Sequence, residues 1–169
     1  MQQFIYDNNT FFRFKDLLTD IQREKLKKDI DYQVEHNLCT AVKPYQTYNN
    51  MDEVYKDDET WQFLINKIKD CVSNITNKKT QQFMCWANVS KENNAYDKHS
   101  HNTDLTAVYY LQNSLPEYGT DIESAIIVPS YENSVVIFNG ALEHQIVNMP
   151  EILAKDNHRY SIVMDFNYV

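Results

Sequence analysis

The sequence is poor in the features that mark disordered, nucleic-acid-binding or membrane-spanning chains. Its 169 residues include only 2 glycines, and 13% of them are aromatic, which argues against disorder. Basic residues are outnumbered 16 to 24, and the net charge of −8 argues against a nucleic-acid-binding surface. No apolar run approaches the roughly 20 residues needed to cross a bilayer. The N-terminus also lacks the basic segment and apolar core of a secretory signal, so we expect no membrane association.

Cysteine is scarce too, and its spacing is uninformative for metal or disulfide chemistry. Cys39, Cys71 and Cys85 are odd in number and contain no C-x-x-C pair. This usage fits structural thiols in a reduced compartment and predicts a cytoplasmic protein. Because no repeat or low-complexity linker divides the chain, we predict a single domain over 1–169. The sequence carries no signal of oligomeric state.

The first part of the chain, 1–79, reads as an N-terminal arm followed by two helices. Aromatic residues near the start predict a short edge strand or an anchoring arm. Thr19 and Gln22 have the spacing of a capping box, which predicts a helix over about 20–36. A second helix is predicted from near Asp58 to about 76, because apolar residues recur there at three- and four-residue spacing. The loop between them, 38–57, is rich in tyrosines that either pack locally or reach over a pocket.

The second part, 80–169, has the pattern of an antiparallel β-structure. Short β-prone runs follow one another with few helical signals between them, at 82–89, 106–111, 124–128, 134–138, 145–147 and 160–166. Such spacing is typical of a sandwich or barrel. Helices first and strands afterwards predict an α+β fold, with the helices packed on the outside of the β-structure.

Two histidines directly before a predicted strand indicate a metal site. His99 and His101 are two residues apart, so in extended backbone both rings point to one face. Neutral imidazole is the commonest protein ligand of transition metals. His144 lies near the start of a later strand, after a turn that contains glycine, and can supply a third ligand. The alternative interpretation is that these histidines belong to polar turns and face water.

An arginine and a serine on the last predicted strand indicate an anion site. Arg159 and Ser161 share one face of an otherwise apolar strand. A guanidinium group buried there needs a carboxylate, supplied either by a structural ion pair or by a bound anion. In the pair Tyr109-Tyr110 one ring faces inward, and its hydroxyl can donate to the same carboxylate.

These motifs, in this order, resemble a known enzyme family. From Phe83 to Asn167 the chain resembles the double-stranded β-helix core of the 2-oxoglutarate/iron(II)-dependent dioxygenases, and within them the prolyl-4-hydroxylase-like branch with its small bacterial and phage members. The matching segments are Trp86-Ala87-Asn88, His99-Ser100-His101, 105–111, Tyr118-Gly119-Thr120, 129–138, Leu142-Glu143-His144 and 159–162. The resemblance implies a jelly-roll, cupin-like core over 80–169 with two N-terminal support helices.

The resemblance also implies the chemistry of the site. Iron(II) would be held by His99, His101 and His144, and 2-oxoglutarate would be held by Arg159 with help from Ser161 and Tyr110. Asn88 is a further candidate for binding the co-substrate. With O2 the enzyme would hydroxylate an unactivated C–H bond of a prolyl residue in a peptide, or of a small molecule, and release succinate and CO2.

Two residues depart from the family pattern. The family has His-x-Asp or His-x-Glu where this chain has His99-Ser100-His101. Either His101 takes the place of the carboxylate, which gives a three-histidine site, or His101 is the first ligand and Asp104 supplies the carboxylate across a turn. Asn133 stands where a turn glycine is usual, and asparagine tolerates the positive φ of such a turn.

Two other classes of protein fit part of the pattern. A cupin-like metal-binding protein without oxygenase activity would also use His-x-His and a distant histidine, but it would not need Arg159 and Ser161. A β-sandwich interaction module with a degenerate site is the second alternative, since the usual carboxylate ligand is missing.

Overall fold

The protein is built from three layers of secondary structure. A computed structural model describes residues 1–36, 46–90, 97–155 and 157–169. The helices are α1 (Asp20–Glu35), α2 (Met51–Val54), α3 (Glu59–Ile75) and α4 (Glu151–Ala154). The strands are β1 (Gln2–Tyr6), β2 (Asn9–Lys15), β3 (Thr80–Ser90), β4 (Leu105–Gln112), β5 (Thr120–Ile122), β6 (Ile126–Val128), β7 (Ser134–Phe138), β8 (His144–Ile146) and β9 (Arg159–Tyr168).

The strands form two antiparallel sheets that enclose one of two hydrophobic cores. The larger sheet has the order β1-β2-β7-β4-β9-β3, and the smaller has the order β6-β5-β8. One core joins the helices to the outer face of the larger sheet, and the other lies between the two sheets. Because side chains alternate along a strand, β9 sends Ile162 and Met164 to the helices and Val163 to the inner face.

Both predicted long helices are present, and their ends have the expected caps. The capping box of α1 is confirmed, with the Gln22 backbone N–H donating to the Thr19 hydroxyl and the Gln22 side chain accepting from the Thr19 backbone N–H. Asp58 caps α3 by accepting from two backbone N–H groups at 3.0 Å. The apolar stripe of α3 is buried against the larger sheet, with Trp61 and Leu64 at 0% exposure.

The sheet contains strands that the sequence pattern did not resolve. The N-terminal arm is a β1–β2 hairpin, and β2 pairs with β7, so the larger sheet takes two strands from the 1–79 segment. Strand β5 was not predicted. The predicted strand at 124–128 begins only at Ile126, because Glu123 and Ser124 have φ values of 55° and 53° and form a turn.

The predicted loop at 38–57 is partly helical. Its residues up to 45 lie outside the described residues, and α2 lies toward its C-terminal end. Tyr55 stacks on Trp61 with ring centroids 4.9 Å apart, which is the packing role expected of a loop tyrosine. Gln46 and Asn49 line the pocket that also contains His99, His101 and His144.

Asn133 adopts the left-handed conformation that its turn position predicted. Its φ is 56°, which asparagine tolerates better than most residues. The side-chain amide also joins three elements: Oδ1 accepts from the Leu18 backbone N–H at 3.0 Å and from the Tyr109 hydroxyl at 2.8 Å, and Nδ2 donates to the Leu18 carbonyl at 2.7 Å.

No described helix has both the length and the apolar character needed to cross a membrane.

The two cysteine side chains among the described residues are buried. Cys71 and Cys85 are free, and burial raises the pKa of the Cys71 thiol to about 11. Both therefore stay protonated at neutral pH, as expected of structural cysteines. Cys39 lies outside the described residues.

Replacing Gly119 with alanine is expected to destabilise the fold strongly. A Cβ atom there would lie 2.0 Å from the Val128 carbonyl oxygen, which is backbone and cannot rotate away. Overpacking costs typically about 1–3 kcal/mol, and we expect a loss of unfolding free energy at the upper end of that range. Urea unfolding followed by circular dichroism measures it. The matched control is Glu117→Ala at an exposed position two residues away; equal stability of the two variants would contradict the predicted clash.

Candidate metal centre and anion site

The structure brings together the three histidines that the sequence singles out. Potential ligand atoms of His99, His101 and His144 all lie within 4.8 Å of one another. The 99–101 segment is extended and runs beside the 140–144 segment. The His99 and His144 backbones exchange hydrogen bonds of 3.0 and 2.7 Å, and the His101 N–H donates to the Gly140 carbonyl at 2.8 Å. The two histidine segments are therefore held together before β4 begins.

Each imidazole uses Nδ1 for a hydrogen bond that orients the ring. The Nδ1–H of His99 donates to the Asp97 carbonyl at 2.8 Å, and that of His144 donates to the Leu142 carbonyl at 2.9 Å. The Nδ1–H of His101 donates to the Asp165 carboxylate at 2.8 Å. A ring that is protonated on Nδ1 carries its lone pair on Nε2, the arrangement typical of a metal-binding histidine.

Burial keeps His144 in the neutral form that binds metals. Its side chain is 6% exposed, and burial lowers its pKa to about 4, with smaller contributions from the nearby His101 and His99. At neutral pH the ring therefore carries no proton that a metal would have to displace. The donor set and its protonation fit a divalent transition metal.

Asp165 contacts the histidine cluster, and the sequence analysis did not single it out. Its carboxylate is 1% exposed and accepts from His101 and from the Thr106 hydroxyl at 2.7 Å. A signal was present, because Asp165 lies on the same face of β9 as Arg159 and Ser161 by strand alternation. Its contact with His101 spans 64 residues and depends on the pairing of β4 with β9, which the sequence does not reveal.

The structure does not place Asp104 in the histidine cluster. Its side chain is exposed, and the carboxylate accepts from the Tyr168 backbone N–H at 2.7 Å. The group of potential metal-ligating side chains found among the described residues contains the three histidines and not Asp104. In the alternative, His101 is the first ligand and Asp104 supplies the carboxylate across a turn; the observed group does not include that carboxylate.

Substituting Asp104 with asparagine is accordingly expected to leave metal affinity within about twofold of the wild type, a smaller change than the about 10-fold minimum typical of outer-shell partners. The amide oxygen can still accept from Tyr168, so the fold is retained. Anaerobic calorimetric titration of the apo-protein with iron(II) measures the affinity, with His101→Ala in parallel. A loss for Asp104→Asn as large as that for His101→Ala would restore the carboxylate alternative.

One row of polar side chains crosses three strands near the histidines. Asn88 of β3 is opposite Ser161 of β9, and Ser161 is opposite Tyr110 of β4. All three line a pocket of approximately 530 Å³ that also contains the three histidines. The hydroxyls of Tyr110 and Thr120 share a hydrogen bond of 2.8 Å, and burial raises the pKa of Tyr110, which keeps it a neutral donor.

Arg159 lines the same pocket, and its hydrogen-bond acceptors there are backbone carbonyls. Its Nη1 donates to the carbonyls of Tyr118 and Val147 at 2.9 and 2.8 Å, while within the described ranges no carboxylate pairs with it. Burial lowers its pKa to about 10, so the group remains cationic at neutral pH although it is only 9% exposed. The structural ion pair considered as an alternative is absent from the described residues, and a bound anion would compensate this charge.

An apolar section of wall separates the histidines from the polar row. Trp86 of β3 is opposite Val163, and Val163 is opposite Val108 of β4. All three face the pocket, and the Trp86 ring lies 5.3 Å from the His101 ring. The pocket thus has a histidine end, an apolar middle and a cationic end with neutral hydroxyl and amide donors.

Comparisons with known proteins identify the fold. No protein-family model matches the chain, and no curated protein matches it. HygX from Streptomyces hygroscopicus, solved with nickel and 2-oxoglutarate bound, superposes with a TM-score of 0.68 at 11% identity, over 93% of this chain and 82% of HygX. The viral collagen prolyl hydroxylase vCPH from Paramecium Bursaria Chlorella virus-1 gives 0.67 at 12% identity, over 96% and 92%.

A third solved structure agrees with these two. AviO1 from Streptomyces viridochromogenes Tue57 gives a TM-score of 0.68 at 12% identity, over 93% of this chain and 89% of AviO1. The chain therefore has the fold of HygX, vCPH and AviO1 along nearly its whole length. At this level of identity the likeness establishes the fold, and the function has to be argued from the site.

Proposed function

We propose that the protein is an iron(II)/2-oxoglutarate-dependent dioxygenase that hydroxylates an unactivated C–H bond. The observation that carries this proposal is the presence, in one pocket, of three convergent imidazoles and a buried arginine that pairs with no carboxylate of the described residues. HygX, which shares the fold, was solved with a metal and 2-oxoglutarate bound. In this proposal the two sheets form a double-stranded β-helix, supported from outside by α1 and α3, in a single cytoplasmic domain.

The metal is assigned to His99, His101 and His144, and the co-substrate to Arg159 with Ser161, Tyr110 and Asn88. Bound iron(II) with 2-oxoglutarate and O2 supplies oxidative decarboxylation to succinate and CO2, coupled to hydroxylation of the target. The histidines fix the metal end of the pocket. Arg159 binds the far carboxylate of 2-oxoglutarate, because a guanidinium presents parallel N–H donors to a carboxylate.

The remaining residues of the pocket orient the co-substrate and exclude water. Ser161 and Asn88 are half-buried, and no hydrogen bond to the rest of the described protein engages either side chain, so both can donate to a bound carboxylate. Trp86, Val108 and Val163 form an apolar wall between the two ends of the site. Water exclusion by such a wall strengthens the electrostatic contacts at both ends.

The proposed target is either a prolyl residue in a peptide or a separate small molecule. Among the solved structures with this fold, vCPH is a collagen prolyl hydroxylase, and HygX has also been solved with hygromycin B bound. Phe83 lines the pocket, is 62% exposed and lies at a register shift of β3 between Gln82 and Met84. An irregularity of this kind redirects a side chain next to a site, and we assign Phe83 to the target side of the pocket.

The experiment that tests the function is an anaerobic titration of the apo-protein with iron(II) and then with 2-oxoglutarate. We expect a weak visible charge-transfer band when the co-substrate chelates the metal. If iron(II) binds and no band forms, the chain is a cupin-like metal-binding protein instead. If iron(II) does not bind, the histidines are not a metal site, and the domain is an interaction module.

A further inference from the structure

The Asp165 carboxylate is buried in a position that a structural role alone does not explain. It is 1% exposed, and its hydrogen-bond partners are the His101 ring and the Thr106 hydroxyl. Within the described ranges no lysine or arginine forms an ion pair with it; the only pairing is with His101 at 2.8 Å. A buried carboxylate is costly unless a cation compensates it. The proposed metal lies on the opposite side of that same imidazole.

We propose that Asp165 is a positioning residue that supplies, through His101, the negative charge missing from the first ligand segment. This inference rests on the proposed function, because it takes His101 as a metal ligand. A site with two histidines and one carboxylate places one negative charge directly on the metal. Here three imidazoles take those positions. Asp165 restores the negative charge behind one of them, because its hydrogen bond to His101 raises the basicity of that ring.

The surroundings of His101 hold the ring in the orientation that this role requires. Its backbone N–H donates to the Gly140 carbonyl, and the Trp86 ring lies 5.3 Å away at an interplanar angle of 53°. Thr106 lies opposite Asp165 in the β4–β9 register, so its hydroxyl fixes the carboxylate from the neighbouring strand. Gly140 permits this close approach, since a Cβ atom there would lie 2.6 Å from the Thr103 carbonyl oxygen and 3.0 Å from the Thr106 hydroxyl oxygen.

The first test removes the charge and keeps the shape. In Asp165→Asn we expect the affinity of the apo-protein for iron(II) to fall by about 10- to 100-fold, the range typical of outer-shell partners. Anaerobic calorimetric titration with iron(II) alone measures it, so that neither turnover nor 2-oxoglutarate is needed. The control is Glu123→Gln, which removes the same charge from an exposed carboxylate that accepts from the Glu143 backbone N–H.

The second test asks whether the negative charge of Asp165 acts at position 101. With histidine at 101, Asp165→Asn should lower the affinity for iron(II); with aspartate at 101, it should raise that affinity. The Oδ1 atom of an aspartate at position 101 would occupy nearly the place of the His101 Nδ1, which is 2.8 Å from Asp165. Two carboxylates at that distance repel each other and compete for a proton. We therefore expect His101→Asp to bind iron(II) more weakly than the wild type, although it recreates a His-x-Asp pair. Adding Asp165→Asn to His101→Asp should raise the affinity again.

The outcomes distinguish this inference from the proposed function. Loss in Asp165→Asn together with recovery in the double variant supports the role of Asp165. The role of Asp165 is overturned if Asp165→Asn leaves the affinity for iron(II) unchanged. It is also overturned if Asp165→Asn lowers that affinity equally in the wild type and in His101→Asp. Both results hold even if the wild type forms the 2-oxoglutarate band. If Asp165→Asn does not fold, a gain of affinity in His101→Asp alone overturns it as well. Failure of the wild type to form the band while these affinities behave as expected overturns only the dioxygenase assignment.

Discussion

Replacing His144 with alanine is expected to weaken iron(II) binding by more than the about 10- to 100-fold that loss of an outer-shell partner causes. Two imidazoles would remain, and both come from the one short segment 99–101. The backbone hydrogen bonds between positions 99 and 144 do not involve the side chain, so the frame of the site is retained. The loss is therefore one of ligation and not of folding.

Metal-dependent stability provides the measurement. A ligand present at a hundredfold excess over its Kd stabilises the native state by about 2.7 kcal/mol, so urea unfolding with and without iron(II) should differ in the wild type and not in His144→Ala. His36→Ala is the matched control, because it removes an exposed imidazole at the end of α1. Equal iron-induced stabilisation of His144→Ala and the wild type would exclude His144 from the ligand set.

The parts of this fold that were predictable from the sequence are those set by local periodicity and by capping. The stripe that contains Trp61 and Leu64 repeats at helical spacing, and Thr19 with Gln22 marks the start of α1. Strand β7 was predicted with its observed bounds, because an uninterrupted apolar run leaves little choice of conformation. Strand β5 has only three residues, and pairing with its neighbours rather than its own composition determines it.

The site was predictable in its residue types but not in its connections. His99, His101, His144 and Arg159 stand out because imidazole and guanidinium groups are unusual beside apolar strands. Asp165 could not be assigned from the sequence, because its hydrogen bond to His101 depends on the β4–β9 register. Asp104, three residues from His101 in the chain, is the carboxylate that sequence proximity offers as an alternative ligand. The chain turns before β4, however, and the Asp104 carboxylate accepts from the Tyr168 backbone N–H at the end of β9.

Replacing Arg159 with alanine is expected to weaken 2-oxoglutarate binding by about a hundredfold, while iron(II) binding stays unchanged. A hydrogen bond to a charged group contributes about 1.5–3 kcal/mol, and about 1.4 kcal/mol corresponds to a factor of ten in affinity. The removed group is only 9% exposed, so water would screen the lost interaction weakly. Titration of the iron(II)-loaded protein with 2-oxoglutarate, followed by the charge-transfer band, measures the change.

A truncated ligand isolates the contact to the far carboxylate. 2-Oxovalerate keeps the 2-oxo acid that chelates a metal but has a methyl group in place of the second carboxylate, so its affinity should be weak for the wild type and hardly change in Arg159→Ala. Because Arg159 also donates to the carbonyls of Tyr118 and Val147, a purely structural loss would weaken both ligands alike. Arg159→Lys keeps the charge without the guanidinium fork and should lie between the wild type and Arg159→Ala for 2-oxoglutarate only. Equal losses for the two ligands would mean that Arg159 shapes the pocket and does not bind the co-substrate.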